Sequence, residues 1–146
     1  NALALGETIP LWPGVFHLTY AQNRGMAFSL LEGAVPLLAV AALIVSAGII
    51  YVHWQNRAQM SWMSGLSLAL ALGGAIGNLI DRIWLNYVTD LFDFRLINFP
   101  IFNVADSAIT VGIVLLAWRI LTVRETPAAA TTTAERAEES AVEPAP

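Results

Sequence analysis

Between Gly73 and Asp106 the chain reads GGAIGNLIDRIWLNYVTDLFDFRLINFPIFNVAD, which gathers Asn78, Asp81, Arg82, Asp90, Asp93, Asn103 and Asp106 between two apolar runs. Three kinds of chemistry fit such a set. Two aspartates that meet cannot both ionise, so they split into an acid and a base and can activate water against an amide. Asp90 and Asp106 are sixteen residues apart across a segment containing Pro100, which allows the chain to fold back on itself. Intramembrane carboxylates also serve as proton or cation relays in transporters. Finally, Asn103 three residues before Asp106 is the spacing of a helix N-cap and its partner, and acidic charge suits a helix N-terminus. Residue types alone leave all three open. Asn78 and Arg82 stand at i and i+4, hence on one helix face, and Arg82 adjoins Asp81 as an interfacial ion pair would.

The surroundings of these residues are hydrocarbon. The chain has 146 residues, 57% of them hydrophobic and 12% charged, against about a quarter charged in a soluble domain. It therefore reads as an integral membrane protein. With no cysteine, disulfides, thiolate metal sites and a cysteine nucleophile are excluded. His17 and His53 lie in different segments and offer no paired metal spacing, so neither metal nor cofactor is expected. Five glutamates against Arg136 place the whole net charge of −4 in residues 125–146. The remainder is neutral and lacks the basic patch that a nucleic-acid partner requires.

Three apolar runs are long enough to span a bilayer, about 20 residues for ~30 Å of hydrocarbon. They cover residues 34–52, 60–80 and 104–123. Residues 53–59, HWQNRAQ, read as a short polar connection that makes the first two spans antiparallel neighbours. Pro36 falls in the first turn of its helix, where a missing N–H costs little. Gly73 and Gly77, with Ala71, Gly74 and Ala75, form a small-residue face for close helix approach. Ahead of the spans, Val15 to Ala21 alternates like a short strand, and Asn23 to Gly25 suits a turn. Residues 83–102 lack a helical period and read as an extended or re-entrant loop, tolerated at membrane depth only when buried in protein or lining a cavity. Residues 1–124 thus form one membrane-embedded domain, and 125–146 a disordered acidic tail. The fold class is an all-α membrane helix bundle with a small β-like extramembrane portion. Arginine counts on the two sides tie, so the positive-inside rule gives no orientation. No signal peptide is visible at the start, which has neither Met nor a basic stretch.

Four strings in order, NRGMAF at 23–28, GGAIGNLIDR at 73–82, VTDLFDF at 88–94 and FPIFNVADSAI at 99–109, closely resemble the prolipoprotein signal peptidase family, signal peptidase II. The resemblance covers residues 1 to about 123. It implies an aspartyl protease of the bacterial inner membrane that removes the signal peptide from prolipoproteins, cutting before the diacylglyceryl-modified cysteine, with membrane lipid beside the substrate. It also implies Asp90 and Asp106 as catalytic dyad; Asn23, Asn78, Arg82 and Asn103 as substrate-binding and dyad-orienting residues; and a site near the outer face. Asp81 is left a structural ion-pair role, and Asp93 falls outside the catalytic pair. The family has four membrane helices, and its first, with an Asp and a Lys, has no counterpart here. A shortened or incomplete member and a small transporter with an aspartate relay are the alternatives.

Overall fold

The structure, a computed structural model, describes residues 3–26 and 30–122; the expected acidic tail lies outside them. Three long helices carry a three-stranded antiparallel sheet at one end. In chain order the elements are β1 (Thr8–Trp12), β2 (Phe16–Asn23), α1 (Val35–Asn56), α2 (Trp62–Leu85), β3 (Val88–Phe94), a 3-10 turn (Arg95–Ile97) and α3 (Val104–Thr122). The sheet order is β1-β2-β3, so the strand read from Val15 to Ala21 is the central one. Residues 83–102 are largely ordered secondary structure where an extended or re-entrant loop is expected. They complete α2 and then supply β3, whose sequence VTDLFDF alternates with a strand's period of two.

Each helix is apolar enough to cross a membrane. α1 continues four residues beyond Val52 into the expected polar connection, because HWQN contains no breaker and bonds to its own helix. Asn56 Nδ2 donates to the Val52 carbonyl at 2.8 Å, and Gln55 Nε2 to the Tyr51 hydroxyl at 3.0 Å. α2 starts at Ser61, whose hydroxyl accepts the Ser64 N–H at 3.2 Å, an N-cap that satisfies one of the helix's free donors. It runs five residues past Ile80 and stops where Asn86 turns left-handed at φ 62°, a usual helix end. Trp62 and Trp84, both strongly exposed, stand at its two ends. Twenty-two residues at 1.5 Å each set them roughly 33 Å apart, the span between the two interfaces of a bilayer, where tryptophan collects.

The α2–α3 seam positions the site. On α2 it runs through Ser67, Ala71, Gly74 and Asn78, spaced four, three and four, the period that keeps one face on a neighbouring helix. On α3 it meets Ala105, Ile109 and Gly112. A Cβ on Gly74 would run into the Ala105 carbonyl, and one on Gly112 would lie 2.6 Å from the Ser67 carbonyl. The small-residue face is thus built on Gly74 and Gly77; Gly73 looks onto open space. Such close approach supplies dispersion contact where lipid gives no hydrophobic drive. At the upper end the seam delivers Asn78 against the start of α3.

Candidate active site

Asp90 lies midway along β3 and is 2% exposed. Alternation puts it on the same face as Val88, Phe92 and Phe94, toward the helices. Phe16 packs on Phe94 with centroids 4.6 Å apart, and Phe102 packs on Phe92 at 5.6 Å. Phe102 also ties the chain back to β3: its carbonyl accepts the Leu91 and Phe92 N–H groups at 3.0 and 2.8 Å. This is the fold-back that the Pro100 segment permits, and it sets Asn103 and the α3 N-terminus beside Asp90.

Asn103 and Asp106 cap α3 reciprocally. Asn103 Oδ1 accepts the Asp106 N–H at 3.0 Å, and Asp106 Oδ2 accepts the Asn103 N–H at 3.2 Å, a capping box with Asp as the reaching acid. Since a backbone N–H only donates, the Asn103 amide nitrogen must face the other way. It donates to Asp90 Oδ1 at 2.8 Å and to Asn78 Oδ1 at 3.1 Å. That fixes Asn78 in turn, whose Nδ2 donates to Asp106 Oδ1 at 2.7 Å. Asn23 is oriented the same way: its Oδ1 accepts the Gly25 N–H at 2.9 Å, leaving Nδ2 to donate to Asp90 Oδ2 at 3.0 Å. Asp90 and Asp106 are therefore linked through two amides, and all four carboxylate oxygens accept a hydrogen bond.

Burial pushes the Asp90 carboxyl above the ordinary carboxylate range, and the Asp106 charge adds to the rise. The amides of Asn103 and Asn23 and the Arg82 charge pull the other way without cancelling it. Removing a carboxylate from water penalises its charged form, and this outweighs two neutral donors.

Arg82 makes no salt bridge to either aspartate. Its guanidinium donates to the carbonyls of Asn78 and Gly25, at 3.3 and 3.2 Å. It thereby ties α2 to the segment after β2. Gly25 fits there because a Cβ would lie 2.7 Å from the Leu30 carbonyl. Asp81 is not the ion-pair partner expected of it. Its carboxylate accepts the Thr89 N–H at 2.9 Å, and the ion pair found among the described residues joins Arg95 to Asp93. Asp93 points to the opposite sheet face from Asp90, being an odd number of residues away along β3. There Thr19 Oγ1 donates to it at 2.7 Å and Arg95 Nε at 2.9 Å. Burial raises this carboxyl, but the two donors and the Arg95 charge together hold it below the ordinary range. Thr19, Thr8, His17 and Arg95 were not legible as a group in the sequence, because nothing there fixes the strand pairing that assembles them.

Beside the aspartates opens a cleft of about 960 Å³. Asn23, Asn78, Arg82, Asp90 and Asp106 line its polar end, and it continues along α3 to Ile109 and Val111. Among the described residues no group of His, Cys, Asp or Glu is arranged to hold a metal ion.

These features define a helical, multi-pass membrane protein with two amide-bridged carboxylates at the edge of its bundle. A family model described as signal peptidase (SPase) II matches residues 1–122, and the chain belongs to the signal peptidase II family. It is 50% identical over 116 residues to a lipoprotein signal peptidase of Trichormus variabilis, covering 80% of this chain and 73% of that protein. It is 48% identical to another from Desulfitobacterium hafniense, over 77% of this chain and 73% of the other. A bacterial membrane enzyme solved by the in meso method at 2.3 Å resolution superposes with a TM-score of 0.75 at 29% identity, covering 81% of this chain and 73% of that one. A second, at 1.9 Å resolution, gives 0.74 at 28% identity, over 85% and 81%.

Proposed function

We propose that this peptidase is of the aspartic type, with Asp90 and Asp106 as its dyad and diacylglyceryl-modified prolipoproteins as its substrates. The carrying observation is the pair of amides, Asn103 and Asn78, that bridges Asp90 to Asp106 beside an open cleft. Asp90, its carboxyl raised by burial, holds the dyad's proton and donates it to the scissile carbonyl oxygen. Asp106 takes a proton from water, whose oxygen adds to the carbonyl carbon. As the C–N bond breaks, Asp106 passes the proton it took from water to the leaving nitrogen, and Asp90 takes its own back from the former carbonyl oxygen. The products are the free carboxyl of the signal peptide and the amino group of the lipidated cysteine. Asn23 and Arg82, at the cleft's polar end, are placed to hold the substrate backbone, and Arg82 keeps three of its five N–H donors for this.

The transporter alternative needs a polar path through the bundle. Among the described residues, the buried serines of α1 and α2 back-bond to their own helices, Ser46 to Ala42 and Ser67 to Met63, both at 2.8 Å. On α3 beyond Asp106 the cleft is lined by two hydroxyl residues, Ser107, which donates to the Asn103 carbonyl at 3.1 Å, and Thr110, among apolar side chains, which favours chemistry at the edge. We place that edge at the outer face of the bacterial inner membrane, with the sheet outside. A single cysteine at Thr8 should then react with an impermeant reagent in intact cells, and one at Asn56 should not. Labelling of both to the same extent contradicts this orientation.

Cleavage of a lipidated prolipoprotein by the purified protein tests the chemistry. Asp90→Asn and Asp106→Asn should each abolish it while leaving membrane insertion intact. An active Asp106→Asn protein would reduce Asp106 to a helix cap.

A further inference from the structure

β2 does not pair with β3 in one register. Phe16, His17 and Leu18 face Phe94, Asp93 and Phe92, but Ala21, Gln22 and Asn23 face Asp90, Thr89 and Val88. Between these two stretches β2 has two residues, Thr19 and Tyr20, where β3 has one, Leu91, which is a β-bulge at Thr19 and Tyr20. Cross-strand partners share a sheet face, and successive residues alternate faces. Val88, Asp90 and Phe92 share one face on β3, so their partners Asn23, Ala21 and Leu18 share it too. Leu18 is even-numbered and Asn23 odd, so the parity of β2 is inverted at the bulge. Without the inversion Asn23 would join His17 and Thr19 on the far face, and Asp90 Oδ2 would lose its donor. A one-residue change of register moves every side chain to the other face, and bulges beside active sites re-aim side chains in this way.

The bulge is pinned from that far face. Thr19 is 7% exposed, and its hydroxyl donates to Asp93 Oδ2 at 2.7 Å, a diagonal bond from the bulge to the regular part of β3. Asp93 is anchored in turn by Arg95 Nε at 2.9 Å. On the other side the Thr19 hydroxyl lies 2.9 Å from that of Thr8, its partner on β1. The bulge cannot travel along β2 without breaking these bonds, and a buried hydroxyl or carboxylate left without its partner is costly.

We infer that Thr19, held by Asp93, is a positioning residue: it fixes the bulge that turns the Asn23 amide onto Asp90. This rests on the reading of Asp90 as half of the catalytic dyad. Thr19 and Asp93 touch neither the cleft nor the reacting atoms and act only through Asn23.

The test is a coupled set of variants in the full chain, assayed for prolipoprotein cleavage across pH. Thr19→Val keeps the shape and removes the hydroxyl. It should lower kcat by roughly ten- to a hundredfold, the rate equivalent of one hydrogen bond to a charged group, and raise KM as the Asn23 contact with substrate loosens. Asn23→Ala should do the same, and the double variant should be no slower than Asn23→Ala alone. The charged groups facing Asp90 are Asp106 from α3 and Arg82 from α2, untouched by either change. Both variants should therefore move the alkaline limb of the profile upward together. Thr19→Ser, which restores the hydroxyl, should recover the rate. From the other end of the bond, Asp93→Asn keeps an acceptor oxygen for Thr19 and should stay active, whereas Asp93→Leu should match Thr19→Val. Because two residues are probed, the outcome does not hang on one variant's folding. Independent, multiplying losses from Thr19→Val and Asn23→Ala, with an alkaline limb that moves in Asn23→Ala but not in Thr19→Val, alongside an inactive Asp90→Asn, overturn this inference alone. An active Asp90→Asn overturns the dyad and this inference with it.

Discussion

Asn103 and Asp106 hold each other's backbone N–H, at 3.0 and 3.2 Å, while the Asn103 amide nitrogen reaches Asp90 at 2.8 Å. The cap and the proposed dyad are therefore one object. What begins α3 also sets the distance and orientation between the two carboxylates, so the capping and catalytic readings of this motif do not compete. A site built on a helix start inherits the helix's rigidity, which is what the proposed dyad would need for pre-organisation.

The two roles of Asp106 separate by substitution. Asp106→Asn keeps one acceptor oxygen for the Asn103 N–H but turns its amide nitrogen against the Asn78 Nδ2 donor, so it should melt somewhat below wild type, keep the cap, and lose at least ~10²-fold in cleavage for want of a general base. Asp106→Ala should be equally inactive and, having lost the cap, less stable by about 0.5–2 kcal/mol. Thermal melting in detergent beside the cleavage assay checks both. Equal melting of the two variants would show that the cap contributes nothing.

Gly74 and Gly73 are adjacent and chemically identical but should respond oppositely to alanine. At Gly74 the new Cβ meets the Ala105 carbonyl and the Ile109 side chain; at Gly73 it meets nothing within 4 Å. Gly74→Ala should push α3 off α2 at an overpacking cost of roughly 1–3 kcal/mol, stretch the Asn78–Asp106 bond and lower cleavage. Gly73→Ala should be neutral or slightly stabilising, since alanine is the better helix former. Parallel melting curves and rates decide it, and identical behaviour would contradict the seam described above.

Much of this was readable in residues. The Asn-x-x-Asp cap is a local motif and the apolar runs mark three spans, whereas VTDLFDF reads only as part of an extended or re-entrant loop until its pairing with β2 makes it a strand. The rest depends on pairing between distant segments. Which of two neighbouring glycines meets α3 is set by the crossing of two helices, and the Asn23 direction by a bulge at Thr19. Asp81 and Arg82 are adjacent and opposite in charge, which favours a pair in sequence terms. In the fold Asp81 instead takes the free Thr89 N–H, and Arg82 the carbonyls of Asn78 and Gly25. Hydrogen bonds to backbone groups won over a surface ion pair, which is worth little in water.

Asp90 should govern the pH dependence. Its proton must be present for the carbonyl to be protonated, so cleavage should fall as pH rises through its elevated pKa. The amide donors of Asn23 and Asn103 favour the charged form, so Asn23→Ala should move that limb to still higher pH. The same shift has a stability sign. A carboxyl bound more tightly to its proton in the folded state than in the unfolded chain stabilises at low pH. That contribution is lost as pH climbs from the unfolded value of 3.8 through the folded one. Asp93 has the opposite sign. Its lowered carboxyl stabilises the sheet above the ordinary value of 3.8, and the contribution disappears as pH falls through its folded pKa. Single-turnover cleavage and melting across pH should show the two effects on different variants, and an unmoved alkaline limb in Asn23→Ala would contradict the assignment of Asp90 as the proton holder.

Lipid should be part of substrate recognition. The cleft begins at Asp90 and Asp106 and runs down α3 past Ile109 to Val111, from the polar edge into the apolar span, and α3 is exposed along most of its length. A soluble peptide would meet only the polar end. A substrate whose cysteine carries two acyl chains can lay them beside α3 while its scissile amide reaches the carboxylates, and each buried CH₂ stabilises that arrangement by about 0.8 kcal/mol before ordering costs. Much of this binding is present in the ground state as well as the transition state, so it should appear mainly in KM. Matched prolipoproteins with and without the diacylglyceryl group, cleaved by the same purified protein, should therefore differ many-fold in kcat/KM and far less in kcat. A Val111→Asn change, which puts an amide into the apolar part of the cleft away from the α2–α3 seam, should raise KM for the lipidated form and leave the unmodified form unaffected. Equal kcat/KM for both substrates would mean that the apolar limb of the cleft does not receive the lipid.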